Sequence, residues 1–234
     1  TSAQGKLPSQ VRDEAMPVSA KVVSLYNPSS GYATFLIPVV LVIIFQTTIL
    51  TSVGILGGTM RESNKLRKIY PNSNSFWGAL PIVMGKATTY LALAMAILLI
   101  ILGIVMPLFG IPVRSSILST MVFMAPFVLS IVFMGLCLLG FLRRREDAIM
   151  LIMYTSLPSV MLTGFSWPTV AMPEWLHAFS YIVPTTLGAK GFVSITQMGA
   201  SLSTILPYWM GMWGLCLFYL VLAEFSIRRI INNN

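Results

Sequence analysis

The sequence predicts an all-α membrane protein: about five transmembrane helices, a cytoplasmic interfacial coupling helix and an outer re-entrant helical hairpin. Three observations predict it. The 234 residues are 56% hydrophobic and only 9% charged, where a soluble domain carries about 25% charged residues; the mean hydropathy is +0.82. Long uncharged stretches rich in Leu, Ile, Val, Met, Phe and Ala reach the roughly 20 helical residues that a hydrocarbon core about 30 Å thick demands. The net charge of +8 sits in short clusters at the ends of those stretches. That is the pattern of the positive-inside rule, and not of a nucleic-acid surface.

Residues 1–34 are polar, contain Pro8, Pro17 and Pro28, and hold no apolar leader core. They read as the end of an extracytoplasmic region, with residues 35–234 forming the membrane domain. The first span is expected at about 35–60, with Pro38 in its first turn, where proline is tolerated. Further spans follow at about 87–109, 117–142, 148–165 and 202–225. Arg61, Lys65, Arg67, Lys68 and Lys86 lie in the first loop, Arg143, Arg144 and Arg145 after the third span, and Arg228 and Arg229 near the C-terminus. Five spans put these three clusters on one side. The bias places the C-terminus in the cytoplasm and the N-terminus outside. An earlier span, ahead of Thr1, would account for an outside N-terminus.

Two segments do not read as simple spans. Arg61 to Tyr70 has the spacing of a short amphipathic helix, with Leu66, Ile69 and Tyr70 on one face and Lys65 and Lys68 on another; Pro71 ends it. Ser73 or Ser75 then suits the cap of a second short helix carrying Phe76, Trp77 and Leu80. Such a basic, aromatic-edged segment belongs in the interface, either as a plain positive-inside loop or as a docking surface for a cytoplasmic partner. The second segment is 164–200. Gly164, Pro168, Pro173, Pro184, Gly188, Gly191 and Gly199 interrupt it, while Trp167, Trp175, His177 and Tyr181 suit an interface. It reads either as short helices dipping into the outer leaflet or as an interfacial loop. Broken backbone at membrane depth must be buried in protein or line a wet cavity.

The chemistry the sequence excludes is equally specific. Gly85-Lys86 resembles the end of a phosphate-binding loop, but Leu80 stands where that motif needs glycine and Ala87 where it needs Ser or Thr. No nucleotide site, catalytic residue, metal site or cofactor is expected. His177 is the only histidine, and Cys137 and Cys216 lie in apolar runs as small hydrophobes. Glu224 precedes Arg228 by four residues, the favoured order for a helical ion pair. A proton or ion relay needs more intramembrane ionisable groups than this. Thr88, Ala92 and Ala96 recur at a spacing that permits close helix contact.

Several short motifs, in order, carry a resemblance. Tyr26-Asn27-Pro28 precedes the first span, Met60-Arg61-Glu62 closes it, and Gly85-Lys86 opens the next. Later come Gly164-Phe165-Ser166-Trp167-Pro168, Met172-Pro173-Glu174-Trp175-Leu176, Pro184-Thr185-Thr186 and Gly191. Over about 200 residues the chain resembles the membrane subunit of bacterial ATP-binding-cassette exporters of the second type (ABC type-2 permeases), in their drug-export branch. Ser63-Asn64-Lys65-Leu66 replaces the Gly-Thr-x-Glu that often follows the Arg-Glu pair, and the family's first span lies outside this sequence. The resemblance implies an inner-membrane permease that dimerises, with itself or with a second permease, and recruits a separate cytoplasmic ATPase. It implies docking through Arg61, Glu62, Lys65, Leu66, Arg67, Lys68, Ile69 and Tyr70, and an outer hairpin built on Gly164, Trp167, Pro168, Met172, Pro173, Trp175, Pro184 and Gly191. A periplasmic adaptor is a further partner of such exporters. The alternatives are an ATP-independent channel or secondary transporter, and an intramembrane enzyme acting on lipid. Neither has the polar groups in its spans that it would need.

Overall fold

A computed structural model describes residues 32–63, 78–142, 144–167 and 169–233. The N-terminal unit, residues 1–31, and most of the expected coupling helix, residues 64–77, lie outside the described residues. Those that are described form helices and turns, with no strand among them.

Among the described residues, seven helices and one 3-10 turn, Thr169–Ala171, follow in order. Helix α1 runs Tyr32–Glu62 and α2 Leu80–Ile100. The latter continues through a wide π-helical turn, Ile101–Val105, to Leu108. Helix α3 is Ile117–Leu138, α4 Arg145–Leu162, α5 Glu174–Ser180, α6 Pro184–Thr196 and α7 Leu206–Asn233.

Among the described residues, four helical stretches are long and apolar enough to cross a membrane: Leu36–Glu62, Leu80–Leu108, Ile117–Leu138 and Leu206–Asn232. The fifth expected span, 148–165, coincides with α4 but is not among them. Arg145, Glu146 and Asp147 occupy its first turn. The 18-residue helix, less those three, is about 22 Å long at 1.5 Å per residue, short of a hydrocarbon core of about 30 Å.

The expected boundaries also shift. Helix α1 begins before Pro38, which therefore lies inside the helix and not in its first turn. Helix α2 begins at Leu80 and not at 87, because Pro81 suits a helix start and Lys86 is carried within the helix. Lys86 is half-buried, and its Nζ reaches Met60 Sδ at 3.4 Å. A long side chain that carries its charge along an apolar surface does not mark the end of a span. Helix α3 stops at Leu138, and α7 starts later and runs further than 202–225.

Helix α3 is the centre of the bundle. Of its most apolar window 61% is buried inside the protein, against 22% for α2. It packs on α1, α2, α6 and α7, and its pairing with α7 is the most extensive in the molecule. Phe123, Met124, Phe127, Val128, Ile131, Val132, Phe133 and Leu136 are buried along it. In lipid no water is expelled from between helices, so close van der Waals fit and interhelical hydrogen bonds must hold this core. Helix α4 packs on α1, and α2 has the most outward-facing surface of the four long helices.

Candidate functional site

The two groups of expected site residues fall at different places in the bundle. Arg61 ends α1 beside the end of α3: its guanidinium donates from Nη1 to Leu139 O at 2.9 Å, and also to Leu142 O. The last carbonyls of a helix lack partners of their own, and a cation is favoured there by the helix dipole. Glu62 is exposed. Lys65, Leu66, Arg67, Lys68, Ile69 and Tyr70 lie outside the described residues.

The polypeptide returns at the start of α2, where a residue of α7 meets it. The Ala79 N–H donates to Glu224 Oε1 at 2.8 Å. Glu224 is only 2% exposed, and its Oε2 is buried without a hydrogen-bond partner among the described residues. Ala79 is the N-cap of α2 and has no side chain able to cap. An acceptor oxygen from another helix therefore takes the place of an N-cap side chain. Arg228 lies one turn further along α7, and the hydrogen bond to α2 spans 145 residues of sequence.

Helix α4 leads away from this end. Its start is fixed by Asp147 Oδ2, which accepts the Arg144 N–H at 2.9 Å. By Ser159 it has come level with Gln46 of α1, about 24 Å back along α1 from Glu62. The expected hairpin residues then divide. Gly164 turns the backbone at φ +83°, a conformation that favours glycine. Trp167, Met172 and Pro173 join Met161, Leu162, Ala171 and Leu176 around an apolar cavity of about 310 Å³. Trp175 is 71% exposed. Pro168 lies outside the described residues.

Pro184 and Gly191 sit instead in the core, on α6, which is buried along nearly its whole length. A Cβ at Gly191 would lie 2.0 Å from Phe123 Cζ, and one at Gly188 2.5 Å from Phe127 Cδ2. Two α3 rings thus lie directly on the α6 backbone, the close approach that small residues allow between membrane helices.

A polar junction holds the start of α6. Gln46 is 3% exposed. Its Nε2 donates to Ser159 Oγ at 3.2 Å, and its Oε1 accepts from Thr185 Oγ1. Ser159 Oγ in turn donates to Thr155 O at 2.8 Å. On the other flank Tyr219 of α7 donates its hydroxyl to Ile182 O at 3.0 Å. The far end of α6 is tied to the loop after α2: Arg114 N–H donates to Thr196 O at 2.8 Å, and Gln197 Nε2 to Pro112 O at 3.1 Å. Gln46 and Tyr219 were not among the expected site residues. Gln46 had a signal, being the only amide side chain between Phe35 and Met60; an amide within a span hydrogen-bonds across to other helices. Tyr219 had none, as one aromatic among several in its run.

Comparison with known proteins places this arrangement. A family model described as ABC-2 family transporter protein matches residues 1–224. The "Probable multidrug ABC transporter permease YbhR" of Escherichia coli (strain K12) is 25% identical over 194 residues, covering 81% of this chain and 50% of the relative. A second, the "Probable multidrug ABC transporter permease YbhS" of the same strain, is 31% identical over 117 residues, 50% of this chain and 30% of the relative. "ABC transporter G family member 20" of Dictyostelium discoideum is 27% identical over 191 residues, 80% of this chain and 25% of the relative. The chain thus spans half the length, or less, of these curated relatives. With its apolar helices and a family match over nearly all its length, the chain is a multi-pass membrane protein of the ABC-2 transporter family.

Proposed function

We propose that this chain is the membrane-embedded part of a permease subunit of an ATP-driven exporter. It moves a hydrophobic or amphipathic substrate outward across the inner membrane, and a separate cytoplasmic ATPase supplies the energy. The observation that carries this reading is the family match across residues 1–224. The names of the E. coli relatives favour drug-like cargo.

In this reading the Arg61 end of the bundle faces the cytoplasm, as does the C-terminus, and the connection between α1 and α2 receives the ATPase. The end that carries Gly164 and Trp167 faces outward. Helix α4 and the turn that follows it together carry the chain across as a fifth span, with the charged first turn at the inner interface. Helices α5 and α6 form the re-entrant hairpin, and the buried Gln46–Ser159–Thr185 junction supports that placement, because it satisfies the polar start of α6 inside the bundle. The subunit dimerises with itself or with a second permease, and a periplasmic adaptor is a further partner.

The test is purification of the full-length protein with its neighbouring ATPase, followed by transport in proteoliposomes. ATP-dependent export by the complex is expected. Gradient-driven transport that persists without nucleotide would overturn the reading in favour of a channel or secondary transporter.

A further inference from the structure

We propose that Arg61 and Glu224 are positioning residues that fasten the end of α1 and the start of α2 to a single rigid unit, the α3–α7 pair. The inference rests on the reading that an ATPase acts on the connection between α1 and α2. It adds which helices that action reaches first.

Four observations carry it. Arg61 closes the end of α3 through Leu139 O and Leu142 O. Glu224 of α7 holds the first backbone N–H of α2, at Ala79. Both anchors sit where α3 and α7 are locked together. Ser226, two residues beyond Glu224, donates its hydroxyl to Cys137 O at 2.8 Å, and a Cβ on Gly140 would lie 2.4 Å from Ser226 Oγ. Finally, α3 and α7 form the most extensive helix pair in the bundle. The two helix ends that flank residues 64–77 are thus held by side-chain clamps on one body. A push at that connection is delivered to α3 and α7, and through Phe123 and Phe127 to α6.

The chemistry suits a clamp. Arg61 offers two N–H bonds from one nitrogen to carbonyls that would otherwise be unpartnered at a helix end. Glu224 is a buried carboxylate whose single described hydrogen bond is to the terminus of another helix. A buried polar group is costly wherever it lacks a partner, so the contact resists separation.

Two measurements test it. In the purified full-length permease, Glu224→Ala should speed hydrogen–deuterium exchange of the Ala79 amide about tenfold, while Glu224→Gln, which keeps an acceptor oxygen, should change it much less. In the complex with its ATPase, Glu224→Ala and Arg61→Ala should leave ATPase co-purification within about twofold of wild type and lower substrate transported per ATP about fivefold or more. Should Glu224→Ala fail to fold, Arg61→Ala against Arg61→Lys carries the coupling measurement alone. Unchanged exchange at Ala79 would overturn the proposal, and so would normal coupling or loss of ATPase binding in these variants. A wild-type permease that recruits no ATPase would instead defeat the exporter reading, and the exchange result would still stand.

Discussion

Gln46 shows how much one side chain decides in a bundle without a hydrophobic driving force between its helices. It joins α1 to α4 through Ser159 and to α6 through Thr185. Hydrogen bonds between membrane helices contribute on average about 0.6 kcal/mol and at most about 2. Gln46→Leu should therefore destabilise the protein by about 1–2 kcal/mol, because it removes both bonds and strands the Thr185 hydroxyl. Unfolding in mixed micelles measures this, and a variant as stable as wild type would deny the junction any structural role. Gly191 makes the complementary point. Gly191→Leu drives a side chain into the Phe123 ring, and overpacking of that kind costs about 1–3 kcal/mol. Adding Phe123→Ala should recover part of the loss; equal stability of the single and double variants would mean that the two positions do not touch. The sequence marked Gly191 through the family resemblance but could not say what it served, because Phe123 lies 68 residues away. Glu224 was legible only as a neighbour of Arg228, one turn off. Its hydrogen-bond partner is a backbone group on another helix, which no pattern of side chains announces.

Helices were far easier to read than their ends. Uncharged, mostly apolar runs such as Ala87 to Val113 or Ser115 to Leu142 make a span plain from composition, since they exceed the roughly 18 residues a crossing needs. The helix ends differ from the expected span ends where a charge was taken for a boundary. Lys86 lies well inside α2 because its long side chain carries the ammonium to Met60. In α4 the uncharged run was legible, but the helix itself starts at Arg145, so its charged turn counts against its length. Placement of α4 is open to direct test. In full-length protein carrying Cys137→Ser and Cys216→Ala, a membrane-impermeant maleimide added outside cells should label Ser201→Cys. It should not label Ser63→Cys or Arg143→Cys. Labelling of Arg143→Cys from outside would break the proposed orientation and the five-span count together.

At the scale of the whole molecule, the bundle presents a basic end and an end built from short helices and turns around an apolar cavity. If an ATPase docks at the basic end, the residues that touch it should behave differently from those that hold it in place. Reversing Lys65, Arg67 and Lys68 to glutamate should weaken ATPase association about tenfold or more, given roughly 0.2–1 kcal/mol for each exposed ion pair lost and added repulsion from the new charges. Unchanged affinity in a pull-down titration would remove the docking surface from this segment. Arg61, whose guanidinium already serves Leu139 and Leu142, belongs with the positioning residues in this division.

Helix α6 also bears on how the protein is made. Three of its neighbours, α1, α3 and α7, can enter the bilayer singly, each satisfying its own backbone. Helix α6 has only 13 residues and includes Lys190 and three threonines, too short and too polar to insert by itself. It must wait for α1, α3 and α7 to assemble the pocket it fills, which makes it the last piece acquired during biogenesis. A nascent or damaged subunit should then betray itself to a protease between Gly164 and Gly199 well before any long helix is cut.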